Sequence, residues 1–199
     1  MQNTTVMKKY LFLISATCLF LTSGCLISLH PLYTSDKIAY RPELVGTWEV
    51  SGEHTSMTFT PLPDEQGYRL SYYESELGPQ TGEQYEAHLL RLGGHYFLDF
   101  YPDTEHMQCD ELNLAALLPT HGFARIDFTS RDECTLYLFD IEWLEELFRQ
   151  RRIRLQHEMT EDGLIVLTAP SEELQKFVSK YAEDERAYID PAILKKHSD

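Results

Sequence analysis

The chain has 199 residues, with 17 Lys and Arg against 32 Asp and Glu and a formal net charge of −15 at neutral pH. Such a surface repels nucleic acid and anionic lipid headgroups, so no nucleic-acid partner is expected and a membrane is not expected to be reached through a basic patch. The acids are scattered with no long tail, which is the pattern of a solvated surface.

The first segment reads MQNTTVMKKYLFLISATCLFLTSG. Lys8 and Lys9 form a cationic front, residues 10–21 are almost wholly apolar, and the small Ser23 and Gly24 precede Cys25. Charge, grease and small residues in that order are what a secretory signal peptide needs. The apolar run is too short to serve as a permanent span, since a helix needs roughly 20 residues to cross a bilayer. Residues 1–24 are therefore expected to be a signal peptide.

The five residues Leu21-Thr22-Ser23-Gly24-Cys25 resemble the lipobox of bacterial lipoproteins, with Thr22 where the leucine usually stands. The resemblance implies that Cys25 is the lipidation site. The thiol would receive a diacylglyceryl group, the leader would be cut before it, and the new amine would be acylated with fatty acid such as palmitate. Two or more chains give stable anchoring, because each buried methylene is worth about 0.8 kcal/mol. Residue 26 is Leu rather than the Asp that retains such proteins in the inner membrane. The implied address is the bacterial cell envelope, at the outer membrane and facing the periplasm.

Removing Lys8 and Lys9 with the leader makes the mature chain more acidic still. Cys25 to Asp199 is one domain's worth of sequence, enough for a real core. Residues 25–42 are expected to be the lipidated cysteine and a tether; residues 43–199 are expected to be a single β-rich domain. Leu29, Pro31, Leu32 and Tyr33 are too apolar for a free linker, so part of the tether is expected to dock on the domain.

From Glu43 onward the pattern is that of strands: 46–51, 56–61, 68–73, 83–92, 95–101, 123–130 and 134–140, with 164–169 as an eighth. Each is rich in β-branched and aromatic residues and bounded by Pro, Gly, Asp or Glu. Short strands with short turns favour an antiparallel barrel or sandwich over a parallel α/β sheet. Two helices interrupt. Asp140 is a good N-cap for IEWLEELFRQRR, which sets Ile141, Leu144, Leu147 and Phe148 on one face. Ser171 is expected to cap EELQKFVSKYAED, whose Leu174, Phe177, Val178 and Tyr181 form a stripe suited to core packing. Residues 110–119 read equally as a helical turn or a strand entry. Asp190-Pro191 is expected to start a last short helix.

Leu44-Val45-Gly46-Thr47-Trp48-Glu49-Val50 resembles the first strand of lipocalins and fatty-acid-binding proteins. There the glycine permits a tight turn and the tryptophan closes one end of the barrel. The resemblance implies an arginine stacked on that tryptophan, to which no residue is assigned. Together, His30-Pro31-Leu32-Tyr33-Thr34, the ELVGTWE run and the Gly-Gly-His hairpin resemble a group of uncharacterised bacterial lipoproteins. That likeness covers most of the mature chain and implies no activity.

Gly93-Gly94 predicts a two-residue hairpin turn. Its register sets His88 opposite Asp99, within hydrogen-bonding reach across the ladder. The face carrying Leu89, Leu98, Ala87 and Phe100 is the more apolar and is expected inside, which turns His88 and Asp99 outward as a surface or structural polar pair. No Gly-x-Ser-x-Gly elbow accompanies them. The other histidines, His30, His106 and His121 among them, lack metal-ligand spacing and read as loop or capping residues. No metal or cofactor is expected. With Cys18 in the leader and Cys25 lipidated, Cys109 and Cys134 remain as a candidate disulfide.

The leading functional expectation is a non-enzymatic envelope protein that binds a small apolar ligand in a barrel lined by Tyr and Phe. One alternative is an interaction subunit of an envelope assembly with a filled core. The other is a hydrolase-like enzyme using His88 and Asp99.

Overall fold

A computed structural model describes residues 26–63, 66–74, 83–104 and 118–197. Cys25, Cys109, His106 and most of the ambiguous 110–119 stretch lie outside the described residues, as does the leader.

The described strands are β1 (Leu26–Ser28), β2 (Gly46–Val50), β3 (Thr55–Pro61), β4 (Tyr68–Glu74), β5 (Glu83–Leu92), β6 (His95–Pro102), β7 (His121–Phe128), β8 (Glu133–Leu138), β9 (His157–Met159), β10 (Ile165–Leu167) and β11 (Ala192–Lys196). Two helices, α1 (Ile141–Arg149) and α2 (Ser171–Lys180), lie between β8 and β9 and between β10 and β11.

Strands β2 to β8 pair in sequence order, each antiparallel to the next. β11 then pairs with β8 on one side and β2 on the other, closing an eight-stranded antiparallel barrel. Closure removes the free edges that an open sheet would expose. The fold is therefore mainly β with appended helices, lipocalin-like and a single domain.

The eighth barrel strand is not the one expected. Residues 165–167 form β10, which pairs with β1 and β9 outside the barrel. The closing strand is β11, at residues 192–196, where a last short helix was expected. Leu194 supplies the reason: it alternates inward, fully buried, between exposed Ile193 and Lys195, a strand period rather than a helical one.

β7 shows how the extension is attached. One edge pairs with β6. The other pairs with β8 from Ala124 to Phe128 and with β1 from His121 to Phe123. β1 thus takes the place that β8 leaves, and β10 and β9 add to it.

Alternation sorts the side chains into two cores. Trp48, Phe59, Tyr68, Leu70, Ala87, Leu89, Leu98, Ile126, Cys134 and Leu194 fill the barrel. Outside its wall, Leu90, Leu92, Phe97 and Phe123 meet both helices and the N-terminal segment. The β5–β6 hairpin is therefore apolar on both faces, because one faces the barrel and the other a covering layer.

The helices supply that layer. The Asp140 carboxylate accepts the amides of Glu142 and Trp143 at 2.8 and 3.2 Å, capping α1 as expected. Pro170 rather than Ser171 occupies the cap position of α2, and Ser171 is its first residue. Leu144 and Leu147 of α1, with Leu174, Phe177 and Val178 of α2, are buried in the outer core. The α2 stripe is packing, as its spacing implies.

The N-terminal segment docks along much of its length. Leu32 is fully buried. Ile38 bridges Leu90 of β5 beyond Tyr68, where β4 begins. Residues 26–42 therefore form part of the packed body.

Candidate functional site

The barrel has a filled end and a hollow end. At the filled end Trp48 is fully buried and its indole N–H donates to Leu44 O at 2.8 Å. The cation over its ring is a lysine: Lys196 Nζ lies 5.3 Å from the ring centroid and donates to Glu43 O at 2.8 Å. Register explains its place, since Lys196 pairs directly with Trp48 across β11 and β2. An ammonium here takes the position that the lipocalin resemblance gives to an arginine. Gly46 has φ +128°, and an added Cβ would come within 2.8 Å of Lys196 Cε. Arg41 covers the neighbouring Phe128 and Tyr96 rings at 4.2 and 5.3 Å.

At the other end the interior holds a cavity of about 380 Å³. Val50, Met57, Leu70, Phe100, Leu136 and Leu138 wall it, with the rings of Tyr72 and Tyr85. These are the inward residues of six barrel strands, so the cavity is a consequence of strand alternation. Ile27 of β1 and Ile189 complete the apolar lining. Among the described residues, Glu53, Glu83 and Asp190 are its charged members, all exposed to solvent, and no Lys, Arg or His lines it. A size within the roughly 300–1,000 Å³ of small-molecule pockets and a mainly apolar wall suit a small apolar or amphiphilic molecule. The sequence pattern points to aromatics inside a barrel without singling out these residues.

The second polar constellation lies outside the barrel wall. The Gly93-Gly94 turn forms with φ +57° and +96°, and His88 stands opposite Asp99 in the ladder as expected. Both point away from the barrel interior, yet neither is on the surface. Asp99 is wholly buried and His88 is 7% exposed, because the N-terminal segment covers them. Asp99 accepts the Leu32 amide on one oxygen at 2.5 Å and meets His121 Nδ1 with the other at 2.7 Å. His88 stacks on the Tyr33 ring at 3.9 Å and lies 3.5 Å from Glu86 through Nε2. Tyr101 lies 4.5 Å from the His121 ring. Burial, and next the charge of Asp99, raise the Tyr33 hydroxyl above its ordinary pKa.

By sequence His121 is expected to be a loop or capping residue. It is instead the first residue of β7, held over Asp99. The Asp99 carboxylate fixes its ring with Nδ1 as donor. Acyl transfer would need a hydroxyl held by the other nitrogen. The ladder partner of His121 is Ser28, but that hydroxyl is fully buried, donates to Leu167 O at 3.3 Å and accepts the His30 amide at 3.1 Å. The constellation grips the N-terminal segment, and Gln175 of α2 adds to the grip by donating to Leu32 O at 2.9 Å.

Cys134 is a free thiol inside the barrel, fully buried, and burial pushes it up to about 12. Among the described residues no group of three His, Cys, Asp or Glu is placed to hold a metal ion.

The closed eight-stranded barrel, filled at its tryptophan end and hollow at the other, is of the lipocalin-like class. Compared with family models, curated proteins and solved structures, the chain matches none.

Proposed function

We propose that this protein is a lipid-anchored bacterial envelope lipoprotein whose barrel binds a small amphiphile by its apolar part. The cavity of about 380 Å³ carries the reading. A filled interior, which an interaction subunit would be expected to have, does not account for it. The lipobox-like run ending at Cys25 supports the anchor and the periplasm-facing address. The enzymatic alternative is less well supported, since Asp99 and His121 are engaged in holding the N-terminal segment and Ser28 is committed to the backbone.

Two measurements test the two halves. Radiolabelled palmitate should incorporate into the wild-type chain and not into a Cys25→Ala variant; equal labelling would remove the anchor. Native mass spectrometry of the purified protein after exposure to an envelope lipid extract should show a bound small molecule. A protein that stays empty would remove the binding function and leave the anchor untouched.

A further inference from the structure

The chain is acidic overall, yet one part of its surface is the opposite. A groove of about 280 Å³ runs between the segment after α1 and the outer face of α2. Arg152 and Arg154 line it from the first side, Lys176 and Lys180 from the second. All four cations are exposed, over a floor of buried Leu155, Phe177 and Tyr181 and half-buried Ile153. Among the described residues Glu173 is the acid of this lining.

Helix electrostatics explains only part of this gathering. A helix C-terminus favours cations within its last turn. That accounts for Arg149 and for Lys180, the last residue of α2, but not for Arg154, well beyond α1, nor for Lys176, inside α2. Lys176 and Lys180 are four apart on one helix, where like charges oppose each other. Arg154 and Lys176 make no ion pair among the described residues. Lys180 Nζ donates one of its protons to Tyr181 Oη at 3.1 Å, leaving two.

We propose that this groove binds a phosphate-bearing anion. Two guanidinium forks and two ammonium groups suit a compact, multiply charged oxyanion better than a single carboxylate. The apolar floor suits a short carbon portion attached to it. Two sources share that chemistry: a soluble phosphoester, and the headgroup of an anionic phospholipid in the membrane beside the protein.

The test uses the full chain in nanodiscs of phosphatidylcholine, titrated calorimetrically at low salt with glycerol 1-phosphate, and with glycerol as control. Glycerol 1-phosphate should bind, glycerol should not, and added salt should weaken the complex. The paired variant Arg154→Ala/Lys176→Ala should weaken it roughly tenfold or more. Both side chains are exposed, and circular dichroism matching wild type verifies the fold. The titration is then repeated in nanodiscs containing phosphatidylglycerol. Undiminished binding identifies a soluble phosphoester as the source; binding weakened by the phosphatidylglycerol membrane identifies the lipid headgroup. Absence of binding at low salt, or equal binding by the folded paired variant, would overturn the proposal.

Discussion

The Asp99 carboxylate ties the barrel to the N-terminal segment: one oxygen meets His121 Nδ1 at 2.7 Å on β7 and the other accepts the Leu32 amide at 2.5 Å. A fully buried carboxylate is tolerated only when its oxygens are satisfied. Here the donors come from two parts of the chain far apart in sequence. The same carboxylate therefore joins two layers of the fold.

Replacing it tests that role. Asp99→Leu strands the Leu32 amide and the His121 nitrogen and should cost about 2–5 kcal/mol, the penalty for two buried donors left without an acceptor. Asp99→Asn keeps one acceptor and should cost less. Urea unfolding measures both. Hydrogen exchange at Leu32 should accelerate more than exchange in the barrel strands. Equal acceleration throughout would mean that the residue supports global stability without clamping this segment.

Trp48 and Lys196 form the corresponding lock at the filled end of the barrel. Gly46→Ala should destabilise by about 1–3 kcal/mol, because an L side chain is strained at φ +128° and its Cβ meets Lys196 Cε. Lys196→Met removes the bond to Glu43 O and the cation above the indole, and should cost about 1–2 kcal/mol. In the Lys196→Met background the steric part of the Gly46→Ala cost should change, so a double-mutant cycle should show coupling. Strict additivity would separate the two residues.

Much of the barrel was legible because its strands are local patterns. Runs of β-branched and aromatic residues bounded by turn residues marked seven of its eight strands, and Gly93-Gly94 fixed the register of β5 against β6. What stayed hidden depends on contacts between distant segments. A long connection separates β6 from β7, and no turn rule carries register across it, so nothing local could bring His121 over Asp99. β11 is five residues long, with a single fully buried residue, and its role is set by the gap it fills between β8 and β2. The outward turn of Asp99 followed from the hairpin; its burial followed from the N-terminal segment, whose destination composition did not specify. The basic groove was invisible to net charge because Arg154 and Lys176 come together only when α2 packs beside the end of α1.

High pH should unfold the protein through its buried phenols and thiol. Burial pushes Tyr68, Tyr188 and Cys134 up to about 12, against ordinary values of 10.0, 10.0 and 9.0. A raised folded pKa means that the unfolded chain loses its proton first. The stability held by these groups is therefore intact below about pH 9 and falls as pH rises toward 12. Tyr68 also accepts the Arg41 amide at 2.8 Å and donates to Arg41 O at 3.1 Å. Tyr68→Phe should cost about 1–2 kcal/mol at neutral pH by leaving those groups unpaired, and should flatten the decline between pH 10 and 12. Urea midpoints at pH 8, 10 and 11.5 decide; an unchanged slope would remove Tyr68 from the account. Over the same range below pH 9, Cys134 should resist alkylation in the native protein.

If the cavity binds an amphiphile as proposed, the charges around it set which one enters. Its apolar walls suit an alkyl chain whatever the head. Glu53, Glu83 and Asp190 disfavour an anionic head, and no cation among the described lining residues compensates. Decanol and decylamine should therefore bind more tightly than decanoate, the amine losing part of its advantage as salt rises. Exposed carboxylates act through a high dielectric, so a preference of about threefold to tenfold is expected. Glu53→Gln combined with Glu83→Gln should narrow the gap between amine and acid while leaving decanol unaffected. Leu70→Trp, which fills the cavity from a buried wall position, should block all three ligands at a folding cost of about 1–3 kcal/mol. Competition with a fluorescent alkyl probe measures each affinity. If decanoate proves the tightest ligand, the charge argument fails while the cavity stands; if none of the three binds, the cavity is not a binding site for simple amphiphiles.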